Sequence, residues 1–279
     1  MKLTHKKIVV FSSIGIAALA GLSLLLAYCT SSRDPLTVSF KRLYPAMMVG
    51  NRLISINDLE QSRTVAASFG VGQEQADRRQ VNTEKSIMLA RDMSLRVSND
   101  QLADETLFYT KGNTAEYRAL LAKHYEGSER EFYKFVIIPQ AADAQLRMKF
   151  YNDINDTSPA YKKAQDVLER LSKGEKFEDL AKAESADQAT AQLGGDLGFY
   201  ETGQLLPELE DQVSVSATGE YRKDIITSRL GYHLIYPVQY SNTGGKKLWH
   251  VKHILFVPDG YSQWLDQQLE KIGVKVFLK

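Results

Sequence analysis

The chain has 279 residues, 43% of them apolar and 25% charged, with a net charge of +1. That length admits one large domain or two ordinary ones, with enough apolar content for a real core. No cluster of Lys and Arg interleaved with aromatics marks a nucleic-acid footprint, so no nucleic acid is expected as a partner. The single cysteine, Cys29, cannot form an internal disulfide, and the redox compartment stays open.

The N-terminus is more specific. Lys2, Lys6 and Lys7 form a basic tail (1–7), and residues 8–28, IVVFSSIGIAALAGLSLLLAY, follow without a charge. Such a run is long enough to cross a hydrocarbon core of roughly 30 Å. It predicts one transmembrane helix, a signal anchor with its basic end in the cytoplasm and residues 29–279 outside. The expected location is therefore the cell membrane, single-pass, with the folded body on the extracytoplasmic side. Leu-Ala-Tyr-Cys at 26–29 resembles a lipoprotein processing site, but Tyr28 stands where such sites carry a small residue, which favours the plain anchor.

Residues 29–43 are expected to be a linker. A short hairpin turning at Gly50-Asn51 should follow, then a helix opening near Asn57, with helical pattern continuing to about 152. Ser98 with Gln101 three residues on is a capping-box signature for a new helix. Pro139 should kink or restart a later one. His124 on a helical face reads as a surface or packing residue. After 155–160 the pattern changes. YKKAQDVLERLSKG reads as an amphipathic helix ended by Gly174, and a shorter helix and a glycine-punctuated stretch follow it. Gly-Gly-Asp-Leu-Gly is a poor phosphate cradle, because it lacks a preceding buried strand, a following helix start and a lysine.

Two apolar runs near the C-terminus each carry a histidine, His233 and His253. An antiparallel hairpin turning about Thr243 would set them directly opposite each other on one face, where Cβ atoms lie about 4.5–5.5 Å apart. A one-residue shift of the turn would destroy that pairing. His250 and His253, three apart, fall on opposite faces of a strand and make a poor metal pair, which leaves His250 facing solvent or packing. The alternating VKVFL (274–278) and AMMV (46–49) are expected to share a second, small sheet.

Gly-Gly-Asp-Leu-Gly, Gly-Gln-Leu-Leu-Pro and Gly-Tyr-His-Leu-Ile, taken together over about 161–238, resemble a parvulin-type peptidyl-prolyl isomerase domain. Parvulins usually begin with a strand reading roughly Ala-Arg-His-Ile-Leu-Val, and none precedes Tyr161. Val-Lys-His-Ile-Leu-Phe (251–256) has that pattern after the domain, which implies a circular permutation with the first strand supplied from 249–257. The flanking stretches 44–61, 115–146 and 264–279 resemble SurA- and PrsA-type extracytoplasmic foldases, in which helical chaperone segments surround an inserted parvulin. The implied fold is α+β. It comprises a helical SurA-like module (44–157), a parvulin, FKBP-like antiparallel sheet with helices (158–258), and a C-terminal helix and strand (259–279) returning to the first module.

The resemblance implies catalysis of X–Pro rotation without metal, cofactor or covalent intermediate, acting on unfolded or nascent exported proteins that contain proline. By motif, His233 and His253 form the hydrogen-bonded base of the site, Asp187 the acidic group near the amide, and Ser228 the hydroxyl before the last strand. Leu205 and Leu209, with Phe199, line the proline pocket. Leu209 and Leu230 stand where parvulins usually carry phenylalanine, which would weaken the grip on a proline ring. Two functions follow: a membrane-anchored isomerase assisting folding of exported proteins, or a chaperone whose parvulin domain binds clients with little or no catalysis.

Overall fold

The structure, a computed structural model, describes residues 35–243 and 246–277. The expected membrane span 8–28 and Cys29 lie outside the described residues. Among the described residues no helix is long and apolar enough to cross a membrane. In chain order the first elements are α1 (Pro35–Leu43), the hairpin β1 (Pro45–Val49) and β2 (Arg52–Ser55), α2 (Ile56–Ser68), α3 (Gln73–Asp92), α4 (Asn99–Thr110), α5 (Thr114–His124), α6 (Glu129–Phe132) and α7 (Ile138–Ile154). There follow α8 (Pro159–Ser172), α9 (Phe177–Glu184), α10 (Gln188–Ala191), β3 (Asp196–Glu201), α11 (Pro207–Ser214), β4 (Ile226–Ser228), β5 (Gly231–Thr243), β6 (Lys246–Phe256), α12 (Tyr261–Glu270) and β7 (Val274–Val276).

Local chemistry explains most boundaries. Ser55 caps α2 by accepting from the Asp58 N–H. Ser98 and Gln101 form the reciprocal capping box of α4. Pro139 lacks the N–H that would continue the ladder, and the turn before it, Tyr133–Ile137, widens to a π-helical one before α7 restarts. Part of the expected linker is helical instead. Pro35 opens α1, where a missing N–H costs nothing, and Lys41 is buried with its ammonium 2.9 Å from Glu60 on α2.

The described chain divides into two compact units, 35–81 with 273–277, and 82–272. In the first, β7 pairs antiparallel with β1 (Met47 opposite Val276), giving the sheet order β2-β1-β7. The hairpin turns at Gly50, whose φ is +57°.

The second unit holds the sheet β3-β6-β5-β4, all neighbours antiparallel. One face carries Tyr232, Leu234, Ile254 and Phe256, packed on Val167 and Leu171 of α8 and Leu180 of α9. The α8 side chains Ala164, Val167 and Leu171 recur at helical spacing, so one stripe meets the sheet. The expected module boundary at 157/158 does not divide the fold. Leu146, Phe150 and Tyr151 of α7 are buried in this same core, and Tyr232 Oη donates to the Tyr151 carbonyl at 2.6 Å. The other face carries His233, Ile235, Val251 and His253, and α11 covers part of it through Leu209 and Val213.

The register of β5 on β6 differs from the expected one. His233 stands opposite Leu255 and Ile235 opposite His253, so the two histidines are diagonal neighbours rather than a direct pair. The hairpin closes with Thr243 opposite Lys246 instead of turning about Thr243, and a bulge then shifts the register by one. Beyond it Gln239 pairs with His250 and Thr243 with Lys246, whereas before it Pro237 pairs with Val251, so β5 holds one extra residue, Val238. Were Val238 paired in the ladder instead of bulged, His233 would face Phe256, and the histidines would fall on opposite faces of the sheet.

The small sheet makes a prediction about the C-terminal strand. Truncating the chain after Ile272 should accelerate amide hydrogen exchange across Met47–Val49, because β1 then becomes an edge. Unchanged protection there would show that β7 contributes nothing to the unit.

Candidate active site

Asp187, Ser228, His233 and His253 converge in one continuous hydrogen-bonded line. Ser228 Oγ lies 2.8 Å from His233 Nε2, His233 Nδ1 lies 3.2 Å from His253 Nδ1, and His253 Nε2 lies 2.8 Å from Asp187 Oδ2. Ser228 and His233 are fully buried and His253 is 5% exposed, while the Asp187 side chain keeps 23% exposure. The line therefore runs from the protein interior to a single solvent-facing carboxylate.

Its direction follows from the inventory of donors. A carboxylate only accepts, so His253 Nε2 must carry the proton it donates to Asp187. A neutral His253 then accepts at Nδ1, which requires His233 to donate from its own Nδ1. His233 Nε2 is left as an acceptor, and the Ser228 hydroxyl donates to it. Ser228 Oγ in turn accepts from the Leu230 N–H at 3.0 Å. Every proton points toward Asp187.

Burial enforces this neutral state. Desolvation lowers the His233 pKa from 6.5 to about 3, with His253 nearby adding to the shift and Asp187 opposing it. Desolvation lowers His253 as well, against the raising effect of its bond to Asp187. Burial pushes the Asp187 carboxyl up, but the hydrogen bonds from Thr190 and His253 together bring it below its ordinary value.

The backbone around 185–195 puts Asp187 in place. Ala186 N–H donates to the Leu255 carbonyl at 2.7 Å, and the Leu255 N–H donates to Ser185 Oγ at 3.1 Å, so this segment is tied to the end of β6. Asp187 then caps α10, accepting from the Ala189 N–H through Oδ1 and from Thr190 Oγ1 at 2.6 Å through Oδ2. On the other side Gly195 accepts from the His253 N–H at 2.8 Å. Its φ is +78° and a Cβ there would stand 2.1 Å from the His253 carbonyl oxygen, so only glycine permits this approach.

Leu205 and Leu209 lie on the same sheet face as the histidines, in one cluster with Ile235 and Val251, at 8% and 2% exposure. Phe199 does not join them. It pairs with His250 in the register of β3 on β6, which turns it to the opposite face, where its ring stacks on His250 at 4.7 Å and is 55% exposed. His250 itself pairs with Asp196 at 2.8 Å. The neighbouring Tyr200, opposite Trp249, takes the place on the site face with Leu197. Sequence reasoning passed over Tyr200, Leu197 and Thr190. Strand alternation from His253 would have indicated the first, but only once the β3–β6 register was known.

The rim beside Leu205 is braced by α4. Leu107 packs where Gly203 has no side chain: a Cβ there would lie 2.2 Å from Leu107 Cγ. Glu105, 4% exposed, pairs with Arg229, which donates to Glu105 Oε2 and to Glu208 Oε1, both at 2.9 Å. Among the described residues no three His, Cys, Asp or Glu side chains converge as a metal-ligand set.

Residues 146–238 match the family model described as Rotamase: PPIC-type PPIASE domain. The chain thus carries a PPIC-type, parvulin peptidyl-prolyl isomerase domain. Among curated relatives, Foldase protein PrsA of Caldanaerobacter subterraneus subsp. tengcongensis is 45% identical over 74 residues, which is 26% of this chain and 24% of the relative. Chaperone SurA of Nitrosospira multiformis is 36% identical over 88 residues, 32% of this chain and 20% of the relative. The match therefore spans about a quarter or less of these relatives' length. A crystal structure of the peptidylprolyl isomerase PrsA from Bacillus anthracis shares 18% identity, covers 69% of this chain and 84% of its own, and superposes with a TM-score of only 0.23. The matched stretch ends at 238, so β6 with His253 lies outside it although it sits inside the sheet.

The buried pair makes the fold acid-sensitive in a defined window. Unfolded histidine binds its proton near pH 6.5, whereas burial lowers His233 to about 3 and lowers His253 as well. Below pH 6.5 the unfolded chain thus binds more protons, so stability is complete above that pH and is lost as the pH falls. The slope should approach about 1.4 kcal/mol per pH unit from His233, with His253 adding in the same direction. Denaturant midpoints measured from pH 7 to 5 should fall accordingly. His233→Leu should lower them at every pH but reduce the slope, leaving only the His253 contribution. A slope unaltered by that substitution would show that other groups set it.

Proposed function

We propose that this chain is a peptidyl-prolyl cis-trans isomerase and foldase, membrane-anchored, that accelerates X–Pro rotation in unfolded exported proteins. The observation that carries the reading is the neutral line Ser228–His233–His253–Asp187, set on the same sheet face as Leu205 and Leu209 within a PPIC-type domain. The anchor and the extracytoplasmic location rest on the apolar run 8–28 behind its basic tail. The placement of β6 between β3 and β5 supports the permuted arrangement, in which the first strand of the domain comes from its C-terminal side.

The reaction needs no bond broken except the partial double bond of the amide, whose barrier is roughly 18–20 kcal/mol. A planar amide is strongly dipolar through resonance, and a twisted one is less so. Moving the bond from water to an apolar surface formed by Leu205, Leu209 and Tyr200 costs the planar states more than the twisted one, which lowers the barrier. The Asp187 carboxylate, at the open end of the line, repels the partly negative carbonyl oxygen of a planar amide. The histidines stay neutral and hold Asp187 in one orientation, so no proton is transferred.

A second reading is favoured by Leu209 at 2% and Leu205 at 8% exposure, together with leucine at 209 and 230. A proline surface so enclosed, with leucine where parvulins usually carry phenylalanine, suits a chaperone that binds clients with weak turnover. Protease-free isomerisation kinetics on a proline peptide separate the two. If the chain is an isomerase, Leu205→Ala should lower kcat/KM by about tenfold or more while the fold survives. If it is only a binder, the wild-type rate should equal the uncatalysed one, and Leu205→Ala should weaken client binding alone.

A further inference from the structure

Beyond the bulge at Val238, the hairpin of β5 and β6 borders a separate cleft of about 680 Å³. Its inner wall is the aromatic pair Tyr240 and Trp249, ring centroids 5.4 Å apart and directly opposite in register. Its outer wall is α11 with Glu210 and Asp211, and Lys247 stands at the hairpin side.

Two observations connect this cleft to the site. Trp249, Val251 and His253 alternate onto one face of β6, so Trp249 lies about 13 Å along the strand from His253. Glu210 and Asp211 also line a small cavity of about 40 Å³ that Leu205 borders, so the proline surface and the cleft share a wall. An extended chain passing over His253 and Leu205 reaches Trp249 about four residues from its proline.

The charge of the wall selects what would sit there. Glu210 is raised in pKa by burial first, and then by Asp104 and Asp211 nearby. Asp104 is raised by burial and, among others, by Asp211. Among the described residues none of these three carboxylates has a Lys or Arg ion-pair partner, and Lys247 is the one base lining the cleft. A cation entering between the carboxylates and the two rings gains Coulomb attraction and ring-face contact together.

We propose that this cleft is a client subsite that takes a lysine or arginine side chain about four residues from the proline, on an extended unfolded segment. It deepens the isomerase reading above and rests on it for the placement of the proline. The subsite is built from the hairpin that joins β5 to β6, so it belongs to the arrangement in which β6 follows the rest of the domain.

The test uses the full-length chain and alanine-rich peptides with one Ala-Pro bond and Arg, Glu or Ala placed four residues before or after it. Protease-free kinetics should give a KM about fivefold lower for Arg than for Glu on one side of the proline. The double variant Glu210→Gln, Asp211→Asn should bring that ratio to about one, and Tyr240→Ala should reduce it. Equal KM for Arg, Glu and Ala, a preference for Glu, or a preference that survives the double variant would each overturn the subsite. If no peptide is turned over faster than the uncatalysed rate, the isomerase reading fails by itself. The subsite is then judged by tryptophan fluorescence on the same peptides: an Arg preference that the double variant removes supports it, and equal affinities overturn it.

Discussion

Two imidazoles in contact and out of water must share their protons in one direction, and the rest of the site is arranged around that requirement. A charged pair there would be repelled and desolvated at once. The neutral pair satisfies every nitrogen only if one end meets a donor and the other an acceptor. Ser228 is the donor and Asp187 the acceptor, and each is held by further bonds, Ser228 by the Leu230 N–H and Asp187 by Thr190 and the Ala189 N–H. Removing either end would leave a buried nitrogen unpaired. The line is thus both a device for orienting the single exposed carboxylate and a lock on the centre of the sheet.

The lock depends on one extra residue. Val238 shifts the register of β5 by one against β6, and the parity of that shift puts His233 and His253 on the same face. The bulge also lies between the histidine pair and the aromatic pair Tyr240 and Trp249 further along the hairpin. The arrival of β6 between β3 and β5 supplies the backbone partners that fix Gly195 and Ala186. One strand therefore completes the sheet, the histidine pair and the position of Asp187.

The rim obeys a different balance. Glu105, Arg229 and Glu208 place two carboxylates on one guanidinium with little exposure, and desolvation of such a group offsets much of the Coulomb attraction. Their value is geometric. Arg229 follows Ser228 directly, so its bonds to α4 and α11 hold the turn before β5 against the helix that carries Leu209. Leu107 completes the contact over Gly203.

Much of this was legible in the residues alone, and the physical reasons are local ones. The Ser98–Gln101 capping box, the turn at Gly50, the restart at Pro139 and the amphipathic stripe of α8 each depend on neighbours within a few positions. The motif segments named Asp187, Ser228, His233, His253, Leu205 and Leu209 before any geometry was known, and all six meet on one face. What sequence could not decide was parity and contact across the sheet. The hairpin arithmetic put the histidines directly opposite, because neither the closing pair Thr243–Lys246 nor the bulge at Val238 is marked in the residues themselves. Phe199 was assigned to the pocket, but the register of β3 on β6 turned it away and put Tyr200 there. The module boundary at 157 was read from a change of pattern, whereas Leu146, Phe150 and Tyr151 are buried in one core with the sheet. Residue identity along the chain determined which groups could do chemistry. Only the tertiary structure decided which of them share a face, because register is set by long-range pairing that no short window of sequence contains.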